Sequence, residues 1–457
     1  MGNVKKIHFI AIGGSIMHNL AIALKNKGYE ISGSDDEIFE PSKSKLKRLG
    51  LLPTVEGWQP EAITTAIDVI ILGMHARKDN PELLKAQALG IKIYSFPEYI
   101  YEQSKDKKRV VIAGSHGKTT ITSMIMHVLN YCNKDFDYAV GAALNGFENS
   151  VRLSDAPIII IEGDEYLSSP LDMTAKFFKY HHHIGLISGI AWDHMNVFPT
   201  EAFYTEQFEK FADLTPANGF ITYYKGDKKC TSAAINNKNG ATSAAYEAHP
   251  SIRIDHDTFL IHDKNKIPIK VFGQHNLENI SGAKTILMQL GITDEQFYAA
   301  IPSFEGANLR LDLVAENEHT TVYKDFAHAP SKVAATTSAF KKQYPDRKLV
   351  ACLELHTFSS LNTDFISNYK GTLQLADIKI VYFNPHTVAA KKLPPLSISK
   401  VKIAFGEDNI LVFDNRKALE KHLLEQQWEN KNALLMTSGN YDNMDIPALG
   451  KKITETK

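Results

Sequence analysis

The sequence predicts an α/β protein of three domains, and three observations carry that prediction. Two segments read as apolar strand, glycine turn and helix. Two further runs, Pro157-Ile158-Ile159-Ile160-Ile161-Glu162 and His183-Ile184-Gly185-Leu186-Ile187-Ser188, are apolar without alternation, as strands buried on both faces are. Strands and helices alternate along most of the chain, which is the pattern of parallel, right-handed β-α-β units. At roughly 150 residues per domain, a chain of 457 residues also has the length for three cores.

The first block opens with the strand Ile7–Ile12, the turn Gly13-Gly14 and a helix to about Lys27, closed by Gly28 as a left-handed cap. A second strand, Glu30–Gly33, ends at Ser34-Asp35-Asp36. Val69–Gly73, a helix from Pro81 to Leu89 and the strand Ile91–Tyr94 complete the block. Ser104-Lys105-Asp106-Lys107-Lys108-Arg109 reads as a polar linker, so the first domain is taken as 1–107. The second, 108–305, starts with the strand Val110–Ala113, holds both long apolar runs, and turns to short strands between about 218 and 272 before a helix at Leu277–Leu290. The third, 306–457, has strands at Thr321–Tyr323, Lys348–Cys352, Ile378–Tyr382 and Ala433–Met436.

Composition excludes several classes. The 51 Lys+Arg and 52 Asp+Glu balance to a formal charge of −1, which gives no basic surplus for holding nucleic acid and no reason to expect a membrane surface. No run reaches the ~18 apolar residues of a membrane span, and the N-terminal apolar stretch is too short for a signal peptide. Cys132, Cys230 and Cys352 are isolated, forming neither a disulfide framework nor a paired zinc site, so a cytoplasmic location is expected.

The sharpest local signal is Gly114-Ser115-His116-Gly117-Lys118-Thr119-Thr120, between a strand and a helix. Backbone N–H groups of such a loop hold polyphosphate oxygens. Lys118 adds a charge on the β/γ phosphates, and the Thr119 hydroxyl is placed for magnesium. Ile112 stands where a standard loop of this kind has its first glycine, so this is a shortened form. Further metal ligands are expected at the ends of the following strands, among Glu162, Asp164 and Glu165 and at Asp193-His194. His181-His182-His183 looks like a metal site, but consecutive extended residues point to alternate faces and cannot all reach one ion. Gly13-Gly14 at a helix start suits a diphosphate, with Asp35 suited to a nucleoside hydroxyl.

These residues resemble the Mur ligase family, the ATP-dependent amide ligases of peptidoglycan assembly and recycling. Beside the short phosphate loop and Asp193-His194, Glu162-Gly163-Asp164-Glu165 is similar to the family's E-A-D-E. Gly273-Gln274-His275-Asn276-Leu277-Glu278-Asn279 is similar to G-x-H-N-x-x-N, and Asp325-Phe326-Ala327-His328-Ala329-Pro330 to D-Y-A-H-x-P. The matching stretches run from the first strand to about Met444. The resemblance implies a Rossmann-like N-terminal domain, a central P-loop ATPase-like domain and a C-terminal Rossmann-like α/β domain. It implies ATP held by Gly114, Ser115, His116, Gly117, Lys118, Thr119 and Thr120, with His275, Asn276 and Asn279 on the adenine side, Arg310 at the phosphates and Asp325 at the ribose. Magnesium is implied at Thr119, Glu162 and His194, with Lys118, Glu162 and His194 as the catalytic set. Gly13, Gly14, Ser34 and Asp35 are implied to grip a UDP-sugar.

Within the family, the chain start resembles the branch that binds UDP-N-acetylmuramate. Residues 40–44, 164–180 and 198–208 look more like members that join this donor to the tripeptide L-Ala-γ-D-Glu-meso-diaminopimelate; the alternative is members that add free L-alanine. Departures fall on the acceptor side. Leu355-His356-Thr357-Phe358-Ser359-Ser360 stands where alanine-adding members show P-H-R-Y-S-R and peptide-adding members P-R-S-N, so the expected arginine is missing for either and His356 is the nearest candidate for the acceptor. Gly189-Ile190-Ala191 replaces a usual Asn-x-Glu, and Ala329 a usual His or Asn. Phe208 and Glu209 stand where several members carry a carbamylated lysine, an absence that resembles the alanine-adding and peptide-adding branch. Two rivals are a nicotinamide-dependent oxidoreductase, suggested by the first glycine turn, and a sugar-nucleotide-binding module that has lost catalysis.

Overall fold

Isoleucine- and valine-rich runs form the inner strands of parallel sheets. The computed structural model describes residues 5–142, 144, 146–192, 197–255, 257–307, 310–406 and 409–455. By contacts the chain forms two compact units, one of residues 1–192, 199–247 and 281–300, the other of 193–198, 248–280 and 301–457.

The first unit carries two parallel sheets. Lys6–Ile10 (β1), Glu30–Ser34 (β2), Val69–Leu72 (β3) and Lys92–Ser95 (β4) pair in the order β2-β1-β3-β4. Lys108–Ala113 (β5), Asp137–Ala139 (β6), Val151–Arg152 (β7) and Ile158–Glu162 (β8) belong to the second sheet. After a hairpin of Leu167–Ser169 (β9) and Asp172–Ala175 (β10), Ile184–Ile187 (β11), Phe220–Tyr224 (β12) and Thr242–Tyr246 (β13) complete it. Its order is β13-β12-β11-β5-β8-β6-β7, parallel except at the β6–β7 pair. The residues of β3 and β11 are buried throughout, which is why these strands lack alternation in sequence.

The second unit has a small antiparallel sheet of Ser251–Ile254 (β14), Asp257–His262 (β15) and Asn265–Ile269 (β16). Its main sheet has six strands: Asp312–Glu316 (β17), Thr321–Asp325 (β18), Lys348–Leu355 (β19), Ile378–Phe383 (β20), Ile410–Phe413 (β21) and Lys431–Met436 (β22). Their order is β17-β18-β22-β19-β20-β21. Along β19, Leu349, Ala351, Leu353 and Leu355 enter one core while Val350 and Cys352 enter the other, so helices cover both faces. No helix among the described residues is long and apolar enough to cross a membrane.

Several sequence expectations shift. The first strand stops at Ile10, because Ala11 adopts a left-handed φ of 71° and the Ala11 and Ile12 N–H groups both turn onto the Ser34 carbonyl. The short-strand texture after 218 divides: β12 and β13 join the parallel sheet, and only 251–269 is antiparallel. The polar linker is half buried: Ser104, Lys107 and Arg109 turn inward while Lys105, Asp106 and Lys108 stay exposed. The Lys107 ammonium lies 2.9 Å from Asp137 and donates to the Ser154 and Ala156 carbonyls, and the Arg109 guanidinium donates to the carbonyls of Ser104, Lys105, Lys107 and His181. Charge in sequence marks solvent only when no backbone oxygens close around it.

The histidine triplet divides as alternation requires. His182 is buried, stacks 4.2 Å from the Phe211 ring and meets the Thr215 hydroxyl at 2.8 Å, while His183 Nδ1 accepts the Arg109 N–H. Burial, helped by the neighbouring His183, His181 and Arg109 charges, pushes the His182 pKa down to about 3. A depressed folded-state pKa leaves stability intact above the unfolded value of 6.5 and removes it as pH falls toward the folded one, at about 1.4 kcal/mol per pH unit. His182→Phe is therefore expected to flatten the decline of unfolding free energy between pH 6.5 and 4, measured by urea titration; an unchanged slope would show that His182 is not its source.

Candidate functional site

The phosphate loop is shaped by close backbone approach. Gly114, at φ +135°, lies so near β11 that a Cβ there would sit 2.1 Å from Ser188 Oγ. Gly117, at φ +77°, starts the helix Lys118–Tyr131 without a capping side chain, so the first turn presents the kind of N–H groups that hold an anion. Ser115 donates through its N–H and its hydroxyl to the Gly189 carbonyl and accepts the Ala191 N–H at 2.8 Å. The His116 ring lies over Gly189, where a Cβ would meet Nε2 at 2.2 Å. This explains the departure at Gly189, since any side chain there would displace His116. Thr120 is buried on the helix behind the loop.

Three carboxylates after β8 take separate partners. Lys118 Nζ sits 2.6 Å from Glu165 Oε2 and 2.7 Å from the Gly114 carbonyl, and the buried Tyr204 hydroxyl donates to Glu165 Oε1 at 2.8 Å. Burial alone would lower the Lys118 pKa, but the carboxylates of Glu165, Asp164 and Glu162 outweigh it and hold the ammonium charged. Asp164 pairs instead with Lys176 at 2.6 Å; despite burial, Lys176 and Lys118 keep it below the ordinary carboxylate range. Glu162 accepts the Thr119 hydroxyl at 2.8 Å and the Gly141 N–H at 3.0 Å. The adjacent Thr119 hydroxyl and Glu162 carboxylate are hard oxygen donors and fit magnesium. Asp193 and His194 lie outside the described residues.

The glycine turn after β1 is braced from β2. Gly13 donates its N–H to Asp35 Oδ2 at 2.7 Å, and a Cβ at Gly13 would come within 2.9 Å of that oxygen. Asp35 Oδ1 accepts the Asp36 N–H and meets His75 Nε2 at 2.8 Å, so both carboxylate oxygens are engaged within the protein. Ser34 is buried and donates to the buried Glu82. Ser34 and Asp35 thus shape the turn from beneath. The half-exposed His75 was not anticipated from sequence; its hydrogen bond with Asp35, against the effect of burial, raises its pKa. Its position just beyond β3, at the carboxyl end of a parallel strand, was the available signal.

In the second unit, Asp325 is buried and accepts the Leu311 and Ala327 N–H groups, both at 2.8 Å, and the Thr336 hydroxyl. Burial lowers the His275 pKa, with the Asp325 charge opposing and the Arg310 charge adding. The Arg310 guanidinium lies 4.8 Å over the Phe326 ring. Asn276 donates to the Phe272 carbonyl and Asn279 to Asn276 Oδ1, so these buried amides tie down the start of the helix Gln274–Gln289. At the end of β19, buried Glu354 accepts the Thr437 hydroxyl and the Tyr441 N–H, and lies 3.7 Å from His356 Nδ1. Thr357 caps the helix Phe358–Leu361 and donates to Ser360 Oγ. Sequence reading missed Tyr204, Lys176 and Glu354, whose partners are distant in the chain or not obvious from type.

Residues 6–108 match the model described as Mur ligase family, catalytic domain, and residues 112–287 match the Mur ligase middle domain. A UDP-N-acetylmuramate–L-alanine ligase of Caldicellulosiruptor bescii is 30% identical over 425 residues, covering 89% of this chain and 90% of its own. One from Clostridium tetani is 32% identical over 404 residues, covering 82% and 84%. Among solved structures, a UDP-N-acetylmuramate–alanine ligase from Thermotoga maritima aligns with a TM-score of 0.71 at 20% identity over 98% of each chain. A murein peptide ligase from Psychrobacter arcticus aligns at 0.67, also at 20% identity, over 99% of each. Both share the fold.

Lys118 has a role in the fold as well as at the loop, because the buried Glu165 is paired with it. Lys118→Met is expected to abolish ATP-dependent turnover and to cost about 3–5 kcal/mol by leaving a buried carboxylate unpaired. Adding Glu165→Gln should recover most of the melting temperature and none of the activity. Recovered turnover in the double variant would remove Lys118 from the chemistry.

Proposed function

The chain belongs to the Mur ligase family of ATP-dependent amide ligases of peptidoglycan assembly, and we propose that it activates UDP-N-acetylmuramate and joins it to L-alanine. The observation that carries the reading is the loop Gly114–Thr120 with Lys118 charged at its floor and Thr119 beside Glu162. The lactyl carboxylate attacks the γ-phosphate of ATP, giving an acyl phosphate and ADP. The amine then attacks the acyl carbon, phosphate leaves, and the amine proton passes to solvent or a base. Lys118 and the first-turn N–H groups offset the charge that builds on the transferring phosphoryl oxygens. Thr119, Glu162 and His194 would hold magnesium, which supplies charge neutralisation on the phosphates.

Gly13 and Gly14 seat the donor diphosphate, with Ser34 and Asp35 fixing the turn rather than meeting the nucleoside. On the nucleotide side, His275, Asn276 and Asn279 serve the adenine end, Arg310 the phosphates and Asp325 the ribose. In that last role Asp325 Oδ2, which among the described residues accepts only the Leu311 N–H, keeps a lone pair for a hydroxyl.

The acceptor order reverses the one expected from residues 40–44 and 164–180. Relatives at 30% and 32% identity, covering 82% to 89% of this chain, are named for L-alanine. A peptide acceptor is the second reading, supported by the resemblance at residues 40–44 and 164–180. Thr357 and Ser360 spend their hydroxyls on each other and on a helix cap, and supply no cation for the carboxylates of either acceptor. His356 is the residue that would serve either acceptor.

Purified enzyme given ATP, magnesium and UDP-N-acetylmuramate is expected to release ADP on adding L-alanine, with UDP-N-acetylmuramoyl-L-alanine detected by mass. Turnover with L-Ala-γ-D-Glu-meso-diaminopimelate and none with L-alanine would establish the second reading. No ADP with either acceptor would return the chain to a binding module without catalysis.

A further inference from the structure

In the first turn of the helix Met17–Asn26, His18 and Asn19 are polar, buried and hydrogen-bonded. His18 Nε2 lies 2.9 Å from Asn19 Nδ2; an amide nitrogen only donates, so this ring nitrogen accepts and the proton sits on Nδ1. Nδ1 donates to the Gly14 carbonyl at 2.9 Å, with Ser42 Oγ at 3.0 Å. Burial lowers the His18 pKa, consistent with a neutral ring. Asn19 Nδ2 also donates to the Ser15 carbonyl. The pair therefore grips the backbone of the glycine turn from its helix side, opposite to the brace from Asp35.

Asn19 has a second hold. Its Oδ1 accepts the Ser150 N–H at 3.3 Å, at the start of β7 on the second sheet. The Ser150 carbonyl accepts the Val140 N–H at 2.9 Å, and the next N–H, that of Gly141, donates to Glu162 Oε2. Glu162 in turn accepts the Thr119 hydroxyl of the phosphate loop. A continuous path of hydrogen bonds and single peptide units thus runs from the Gly14 carbonyl to Thr119, and Asn19 is the side chain that joins its two halves.

We infer that Asn19, oriented by His18, is a positioning residue that sets the donor turn against the phosphate loop. The inference rests on the reading of Gly13-Gly14 as the donor diphosphate site and of the loop as the ATP site. Acyl activation demands that the lactyl oxygen meet the γ-phosphorus in line, and a shift of about 1 Å costs on the order of a hundredfold in rate. The two anchors lie on separate sheets, so their registration needs a connection that neither sheet provides alone. Asn is suited to it because one side chain offers a donor to each of two carbonyl or imine partners and an acceptor to the facing N–H.

The test is Asn19→Ala, with kcat at saturating substrates and separate dissociation constants for UDP-N-acetylmuramate and a non-hydrolysable ATP analogue by calorimetry. The expected result is a fall in kcat of about tenfold or more, with both dissociation constants within about threefold of wild type. Asn19→Asp retains the acceptor for Ser150 and is expected to recover part of kcat. A kcat within twofold of wild type, or no difference between Ala and Asp, would overturn the inference while the donor reading stands. Wild-type enzyme that binds no UDP-N-acetylmuramate would overturn the donor reading and the inference with it. Loss of nucleotide binding in Asn19→Ala would show general damage to the fold instead, and would also overturn it.

Discussion

The buried ion pair of Lys118 with Glu165 is the interaction around which the phosphate loop is organised. At 2.6 Å, and with Tyr204 donating to the other carboxylate oxygen, it fixes the lysine at the loop floor before any nucleotide arrives. A lone buried ammonium would lose its proton, and the carboxylates keep it charged. The same grouping forces a division of labour: Asp164 turns to Lys176, and Glu162 is left to Thr119 and Gly141. Nucleotide phosphates entering this loop would replace one set of negative oxygens around Lys118 with another, so binding requires no change in its charge.

Both turns at the carboxyl ends of parallel strands solve one problem by different means. The phosphate loop relies on glycines: Gly114 and Gly117 take positive φ, and Gly189 yields its side-chain space to His116. The turn after β1 accepts strain of about 1–2 kcal/mol at Ala11, φ 71°, and is held by side chains instead. Asp35 takes the Gly13 N–H while Ala11 and Ile12 close on the Ser34 carbonyl. Such a turn is rigid without being glycine-rich throughout, which suits a site that presents backbone to an anion.

Much of this was legible in one dimension. Apolar runs without alternation located β3, β8 and β11, and strand, glycine and helix in succession located both turns, because these features are local. The strand order β13-β12-β11-β5-β8-β6-β7 was not legible, since crossovers leave no local mark. Lys107 resembled a solvated linker residue because the Ser154 and Ala156 carbonyls that enclose it are remote, and Arg109 did because its ring of neighbouring carbonyls is closed by the distant His181. Asp35 was read as facing a ligand; the structure turns it onto Gly13 and His75. Tyr204 and Glu354 carried no signal by type. Acceptor choice stayed least legible, because a cation missing at Thr357 and Ser360 says what does not bind more readily than what does.

The proposed reaction makes one chemical demand above the others: the donor carboxylate is itself the nucleophile toward ATP. UDP-N-acetylmuramate labelled with oxygen-18 in its lactyl carboxylate tests this directly, by mass analysis of the inorganic phosphate released in a single turnover with L-alanine. Transfer of one labelled oxygen to each phosphate is the predicted result, since the acyl phosphate breaks at its acyl carbon. Unlabelled phosphate, with both labelled oxygens retained by the donor or lost to water, would contradict the account.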